Sequence, residues 1–373
     1  MGAEIGEIGV GVGVNERGGG MKILVTGGTG RIGGNLSVAL LGRGHEVRCL
    51  VYPGDASRAD KLAGYEGVEV VEGDLRDSDD VTRAVQGVDA IYHLAAAFGG
   101  PFDNRQYLSI NGMGTVNILE AVRADVPNLQ RLVYACTEAI YWRLGEKGRF
   151  FEEPITEAMV SPYKQMPYFL TKWVGEELCM TYHRQYGVPA TSMRFATVIE
   201  PGEFLNGDGL PGRFLLSQAV EQFGSRVPES PVEEGILREL RSLWTGEEKL
   251  LLSRCPNGVP YKQEFADVRD VVQGLVLALE QDAAVGEEFT LGGAAVFQWE
   301  EHVPWLAERY GLDFVDARLP ESNFFEFDLS KIKGLLGYEP QHDVRSVVET
   351  AEAIRRGEET GVMPTGVRYG GGW

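Results

Sequence analysis

Lys22-Ile-Leu-Val-Thr-Gly-Gly-Thr-Gly-Arg-Ile-Gly33 decides the fold. The first five residues are a short apolar run of the kind that forms a buried strand. Glycines then recur at 27, 30 and 33, and Leu36, Leu40 and Leu41 follow at helical spacing. Glycines at a strand-to-helix turn let the backbone approach a pyrophosphate, whose charge suits a helix N-terminus. Three glycines alone mean only a tight turn; between a strand and a helix they predict a dinucleotide site.

Working outward, further strands are expected over 46–52, 68–72, 90–94, 131–135 and 191–195. Helical patterns lie between them, over 81–85, 111–124 and 166–186. Strands alternating with helices predict an α/β fold: a Rossmann-type, doubly wound parallel sheet over 21–200. From 201 to 356 the alternation weakens. Helices are expected near 214–223, 268–279, 298–309 and 345–355 in a smaller C-terminal α/β substrate-binding region, some of whose segments return to the first domain. Residues 1–20 read as a disordered extension. The glycine-rich tail 357–373 reads as ordered only by packing on a neighbour.

The 373 residues are 43% apolar and carry a net charge of −20, which argues against nucleic acid or an anionic membrane as the main partner. No run of 18 apolar residues exists, and the N-terminus lacks the pattern of a signal peptide, so a cytoplasmic protein is expected. Four scattered cysteines without a C-x-x-C read as reduced thiols, and five scattered histidines predict no metal.

Tyr168 and Lys172 form the chain's one Tyr-x-x-x-Lys pair. Positions i and i+4 share a helix face. An ammonium there can lower a phenol pKa from near ~10 towards that of a useful general base. A nicotinamide dinucleotide and a proton relay complement one another. The second strand ends Leu50-Val51-Tyr52 without the carboxylate that usually holds an NAD ribose. Arg31 and Arg58 offer charge for a 2′-phosphate, so NADP is favoured over NAD.

The chain resembles the extended short-chain dehydrogenase/reductases, the group of NAD-dependent epimerases and dehydratases, from about residue 21 to 355. The motifs that carry the resemblance occur in order: the glycine turn, Gly73-Asp74-Leu75, His93-Leu-Ala-Ala96, Asn111 with Gly114, Thr115 and Asn117, Val133-Tyr-Ala-Cys-Thr137 with Tyr141, Tyr168 to Lys172, Phe265 to Asp270, and Asp328-Leu-Ser-Lys331 with Leu335-Leu-Gly337. It implies Tyr168 as general acid/base. Lys172 would lower the tyrosine pKa and bind the nicotinamide ribose, and Thr137 would orient the reacting oxygen. It further implies cofactor contacts at Gly27, Thr29, Gly30, Arg31, Ile32 and Gly33 in the turn. Tyr52, Asp74 and Leu75 would lie towards the adenosine. Leu94, Ala95 and Ala96 follow strand four, and Phe195, Thr197 and Val198 follow strand six.

Where nucleotide-sugar members carry Arg-Pro-x-Asn, this chain has Arg194-Phe-Ala-Thr197. Gln263-Glu264 stands where an arginine often meets a substrate diphosphate, so a carboxylate replaces a cation. Lys262 or Arg213 could substitute. Thr137-Glu138-Ala139 lacks the second acid of the dehydratases. Glu138 either touches a hydroxylated substrate, with Thr137 and Thr197, or faces solvent. The expected function is an oxidoreductase interconverting alcohol and carbonyl on a sugar-like small molecule. The rivals are a nucleotide-sugar epimerase with tightly held NAD and a non-catalytic cofactor-sensing binding protein. The resemblance also implies a homodimer through helices 111–124 and 166–186.

Overall fold

The computed structural model describes residues 20–62, 64–143 and 148–364. The chain builds β1 (Lys22–Thr26), α1 (Arg31–Leu41), β2 (Glu46–Val51), β3 (Val68–Glu72), α2 (Ser78–Val85), β4 (Ala90–His93), α3 (Asn104–Tyr107), α4 (Gly114–Asp125), β5 (Arg131–Thr137), α5 (Pro167–Tyr186), β6 (Ala190–Phe195) and β7 (Thr197–Ile199). It continues with α6 (Leu216–Phe223), α7 (Pro231–Leu243), β8 (Leu250–Arg254), β9 (Lys262–Asp267), α8 (Val268–Glu280), β10 (Glu288–Leu291), β11 (Val296–Gln298), α9 (Trp299–Tyr310), β12 (Phe314–Arg318), α10 (Ser330–Leu336) and α11 (Val344–Arg355).

Seven strands make one parallel sheet in the order β10-β6-β5-β4-β1-β2-β3. The order reverses between β1 and β4, so a crevice opens outside their carboxyl ends, where such sheets bind ligands. Every residue of β4 and β6 is buried, as helices on both faces require. The edge strand β3 keeps Glu69 and Glu72 in solvent, which blunts edge pairing. Helix α5 begins with Pro167 in its first turn and stops at Gly187, whose φ of 74° is a left-handed cap natural to glycine.

A second hydrophobic core gathers Phe214, Leu240, Leu250, Phe297, Trp299 and Val303. Over it lie a three-stranded sheet, β11-β9-β7, and the parallel pair β12-β8. The main sheet's register sets Thr137 beside Phe195, and the small sheet's sets Thr197 beside Phe265. Residues 195–197 are therefore the seam where both sheets meet.

Strand β10 and helix α8 belong to the first core. The expected extension at 1–20 lies, but for Gly20, outside the described residues. Of the tail, Met363 is buried against this same chain's α1, and Val362 is buried in the same core. Residues 365–373 lie outside the described residues.

Candidate active site

The glycine turn is built by close approach. Gly27 has φ 74°, and a Cβ there would come 2.9 Å from the Ala95 nitrogen after β4. A Cβ on Gly33 would come 2.3 Å from the Gly27 carbonyl oxygen. Helix α1 starts at Arg31 with no side-chain cap and no acid in its first turn. Its first amides and their dipole therefore face the crevice uncompensated, which fits a pyrophosphate.

Beneath the turn lies a buried polar chain. The Thr26 hydroxyl pairs with His93 Nδ1 at 2.9 Å and accepts from the Ala95 amide at 3.1 Å. The other nitrogen of His93 pairs with Thr115 Oγ1 at 3.1 Å. Burial, helped by the Lys172 charge, holds His93 down to about 3, so the ring is a neutral brace. Asn111, on a π-turn at Leu108–Met113, accepts from the Ala97 amide at 2.7 Å and donates to Thr171 Oγ1 at 3.0 Å. One asparagine thus fastens the loop holding Leu94, Ala95 and Ala96 to α5. Its signal in the sequence was a place in a motif, not a chemistry.

Tyr168 and Lys172 share α5, and Thr137 ends β5 against it. Tyr134 Oη donates to the Lys172 carbonyl at 3.2 Å, and the Lys172 ammonium lies 4.4 Å from the Tyr134 ring centre. Gly175 leaves room for that tyrosine; a Cβ there would stand 2.1 Å from its hydroxyl. The Arg194 guanidinium clamps Glu176 at 2.8 Å, and Ser192 donates to the same carboxylate at 2.6 Å, joining α5 to β6. Removing one partner of so buried a pair costs about 3–5 kcal/mol.

The expected lowering of the Tyr168 pKa is not what the protein alone provides. Its half-buried phenol packs against Phe98 and Tyr107, with ring centres 5.1 and 6.3 Å away, and desolvation pushes it up. Burial also draws Lys172 down to about 8. Both groups are desolvated, and the lysine charge rests over Tyr134. Thr137 accepts from the Ala139 amide at 3.3 Å, so its oxygen caps the next turn while its hydroxyl hydrogen stays available.

Glu138 does not face solvent. It is 8% exposed, and its Oε1 accepts from Thr197 Oγ1 at 2.7 Å. Thr197 accepts from Gln263 Nε2 at 3.0 Å, and Gln263 Oε1 accepts from Asn323 at 2.6 Å. Desolvation lifts Glu138 to about 8. Its Oε2 and the Asn323 Oδ1 are buried without a hydrogen-bond partner among the described residues. Asn323 also lines a pocket in the second lobe, floored by Phe214, Tyr261 and Trp299 and edged by Arg149 and Arg213. No local pattern marks Asn323 in the sequence, because it arrives on a loop from 60 residues beyond Gln263.

Glu264 corrects the sequence-based expectation of charge repulsion. It is 3% exposed and accepts from the Gly293 amide at 2.9 Å, facing the core rather than a substrate diphosphate. Lys262 is spent on Glu326 at 3.4 Å and the Phe324 ring. Arg31 points across the seam: it donates to the Val198 carbonyl and pairs with Glu203 at 2.9 Å. Arg58 does reach the glycine turn, donating to the Thr29 carbonyl at 3.2 Å while pairing with Asp55 at 3.3 Å. Asp74 is held bidentate by Arg76, which lies over the exposed ring of Tyr52. Leu75 is buried, its carbonyl accepting from Asn117 at 2.8 Å. Ile32 packs on the main core, and Phe195 belongs to it.

Comparison with known proteins agrees with this architecture. A short-chain dehydrogenase/reductase superfamily protein of Agrobacterium tumefaciens, solved with bound NAD, is 29% identical with a TM-score of 0.75, over 90% of this chain and 97% of that one. UDP-glucuronate 4-epimerase 1 of Arabidopsis thaliana is 37% identical over 197 residues, 50% of this chain; the match spans 44% of that protein's length. An uncharacterised UDP-glucose epimerase of Bacillus subtilis is 27% identical over 338 residues, 86% of this chain and 93% of that protein. Residues 23–292 match the sequence model of one family over most of the sheet and the seam, and the chain belongs to that family, the NAD dependent epimerase/dehydratases.

Proposed function

We propose that the protein interconverts an alcohol and a carbonyl on a sugar-like substrate, with Tyr168 moving the hydroxyl proton. Glu138 carries this proposal. A carboxyl buried beside Thr137, with Oε1 on Thr197 and Oε2 lacking a partner among the described residues, suits a substrate rich in hydroxyls. The glycine turn and α1 would hold a nicotinamide dinucleotide, which supplies a hydride acceptor or donor at its C4 when bound. Thr137 Oγ1 would donate to the reacting oxygen and hold it against Tyr168. Lys172 would place its charge at the nicotinamide ribose and ease phenol ionisation as it leaves the Tyr134 ring. NADP is favoured over NAD as the dinucleotide, supported by Arg58 at the Thr29 carbonyl and by a β2 that ends without an acid.

A second proposal is epimerisation of a nucleotide sugar, in which substrate is oxidised and re-reduced before release. Two observations favour it: Glu264 is turned away into the core, and Arg149 and Arg213 edge the aromatic-floored pocket. The names of the Arabidopsis and Bacillus relatives point the same way. Native mass spectrometry with NAD, NADP and UDP-glucose added separately distinguishes the two. Reversible uptake of dinucleotide and indifference to the UDP-sugar supports net redox; dinucleotide surviving purification and retention of the UDP-sugar supports epimerisation. A homodimer is part of the proposal, supported by the exposed Leu108, Met113, Met166 and Leu170 on or beside helices α4 and α5.

A further inference from the structure

We infer that residues 361–364 form a strap that steadies the dinucleotide turn, with Asn35 as the positioning residue through which it acts. Asn35 is 5% exposed on the second turn of α1. Its side-chain amide reproduces the hydrogen bonding of a neighbouring strand: Oδ1 accepts from the Met363 amide at 2.8 Å, and Nδ2 donates to the Met363 carbonyl at 3.0 Å. The same Nδ2 donates to the Arg31 carbonyl at 2.7 Å, in the first turn of the helix. Lys61 donates to the Pro364 carbonyl at 3.4 Å.

The methionine side chain completes the fit. A Cβ on Gly34 would come 2.9 Å from Met363 Sδ and 3.5 Å from the Gly28 carbonyl oxygen, so glycine at 34 opens the niche the sulfur fills beside the turn. Arg31 is tied from the other direction to Val198 and Glu203. The first turn of α1 is thus held from two remote parts of the chain. The amides proposed to meet a pyrophosphate belong to that turn, and their geometry depends on both ties. Two events that order the same element favour each other. The strap and the dinucleotide would therefore bind cooperatively. This rests on the proposal that α1 carries the dinucleotide.

Titrating the full chain with NADPH and NADH, by fluorescence of the reduced nicotinamide, tests it. Asn35→Ala and Met363→Ala should raise the dissociation constant roughly five- to tenfold, a common coupling size. Met363→Leu, which refills the niche, should restore it. The KM for dinucleotide should rise while kcat holds. Reciprocally, hydrogen exchange of the Met363 amide in the unaltered protein should slow when dinucleotide saturates, a readout that survives if a variant fails to fold. Variants that fold and bind within about twofold of the unaltered chain, or an unmoved Met363 amide, overturn the strap. Failure of the unaltered protein to bind either dinucleotide overturns the proposed function and the strap with it.

Discussion

Lys172 presents both ends of its residue to Tyr134: its carbonyl accepts the phenol hydroxyl at 3.2 Å, and its ammonium lies 4.4 Å from the ring centre. The helix bearing Tyr168 is thereby registered on the strand that ends in Thr137. The lysine charge waits on an aromatic face, desolvated, where a ring quadrupole offers about 1–2 kcal/mol.

The contact at Gly175 tests that registration. Gly175→Ala would drive a methyl against the Tyr134 hydroxyl. Overpacking of this kind costs about 1–3 kcal/mol and shifts α5 along the strand. We expect a lower melting temperature together with a fall in kcat. An unchanged melting temperature and rate would show that α5 is not fixed there.

Glu138 predicts a pH dependence of stability. Its carboxyl keeps a proton in the folded chain up to about 8, against an ordinary value of 4.5. Between those values the folded state holds more protons, so this contribution is full below about 4.5 and is lost as pH rises through 8. Glu138→Gln removes it. From about pH 5 to pH 8 the variant should gain on the unaltered protein, by an amount on the order of a few kcal/mol. Lys172 is held low and acts oppositely, but chiefly above about 8, and is common to both proteins. Melting curves with a constant gap across that range would contradict the buried carboxyl.

Arg58 predicts dinucleotide choice. Its guanidinium reaches the Thr29 carbonyl beside a strand end that lacks an acid. Arg58→Ala should weaken NADPH binding roughly tenfold or more and leave NADH nearly untouched, as loss of a charge-assisted contact implies. Equal weakening of both, measured by fluorescence titration, would assign Arg58 to holding Thr29 only.

Much of the fold was legible because its signals are local. Apolar runs at 22–26, 46–52, 68–72 and 131–135 became parallel strands, and glycines at 27 and 33 fall where a Cβ would collide. The second lobe was less legible, since β9 pairs with β7 and β11, and β8 with β12, across intervening helices and strands. The site divides the same way. Tyr168, Lys172 and Thr137 announce themselves by spacing and order. Gln263 and Asn323 acquire meaning only when the seam brings them to Thr197 and Glu138. Side-chain direction was the hardest property to read: Glu264 and Arg31 each point somewhere other than the sequence suggests, because burial and a distant partner decide it.

The central claim is that Tyr168 moves the proton that accompanies hydride transfer. Its most direct test is a single-turnover experiment on the full chain and on Tyr168→Phe. Each is loaded with oxidised dinucleotide and mixed with a panel of sugars, sugar acids and UDP-sugars, while the absorbance of reduced nicotinamide is followed. The account predicts reduction by at least one substrate in the unaltered protein. In Tyr168→Phe it should be slower by about 10²–10⁴-fold, with dinucleotide binding intact. Reduction at an equal rate in Tyr168→Phe would contradict it.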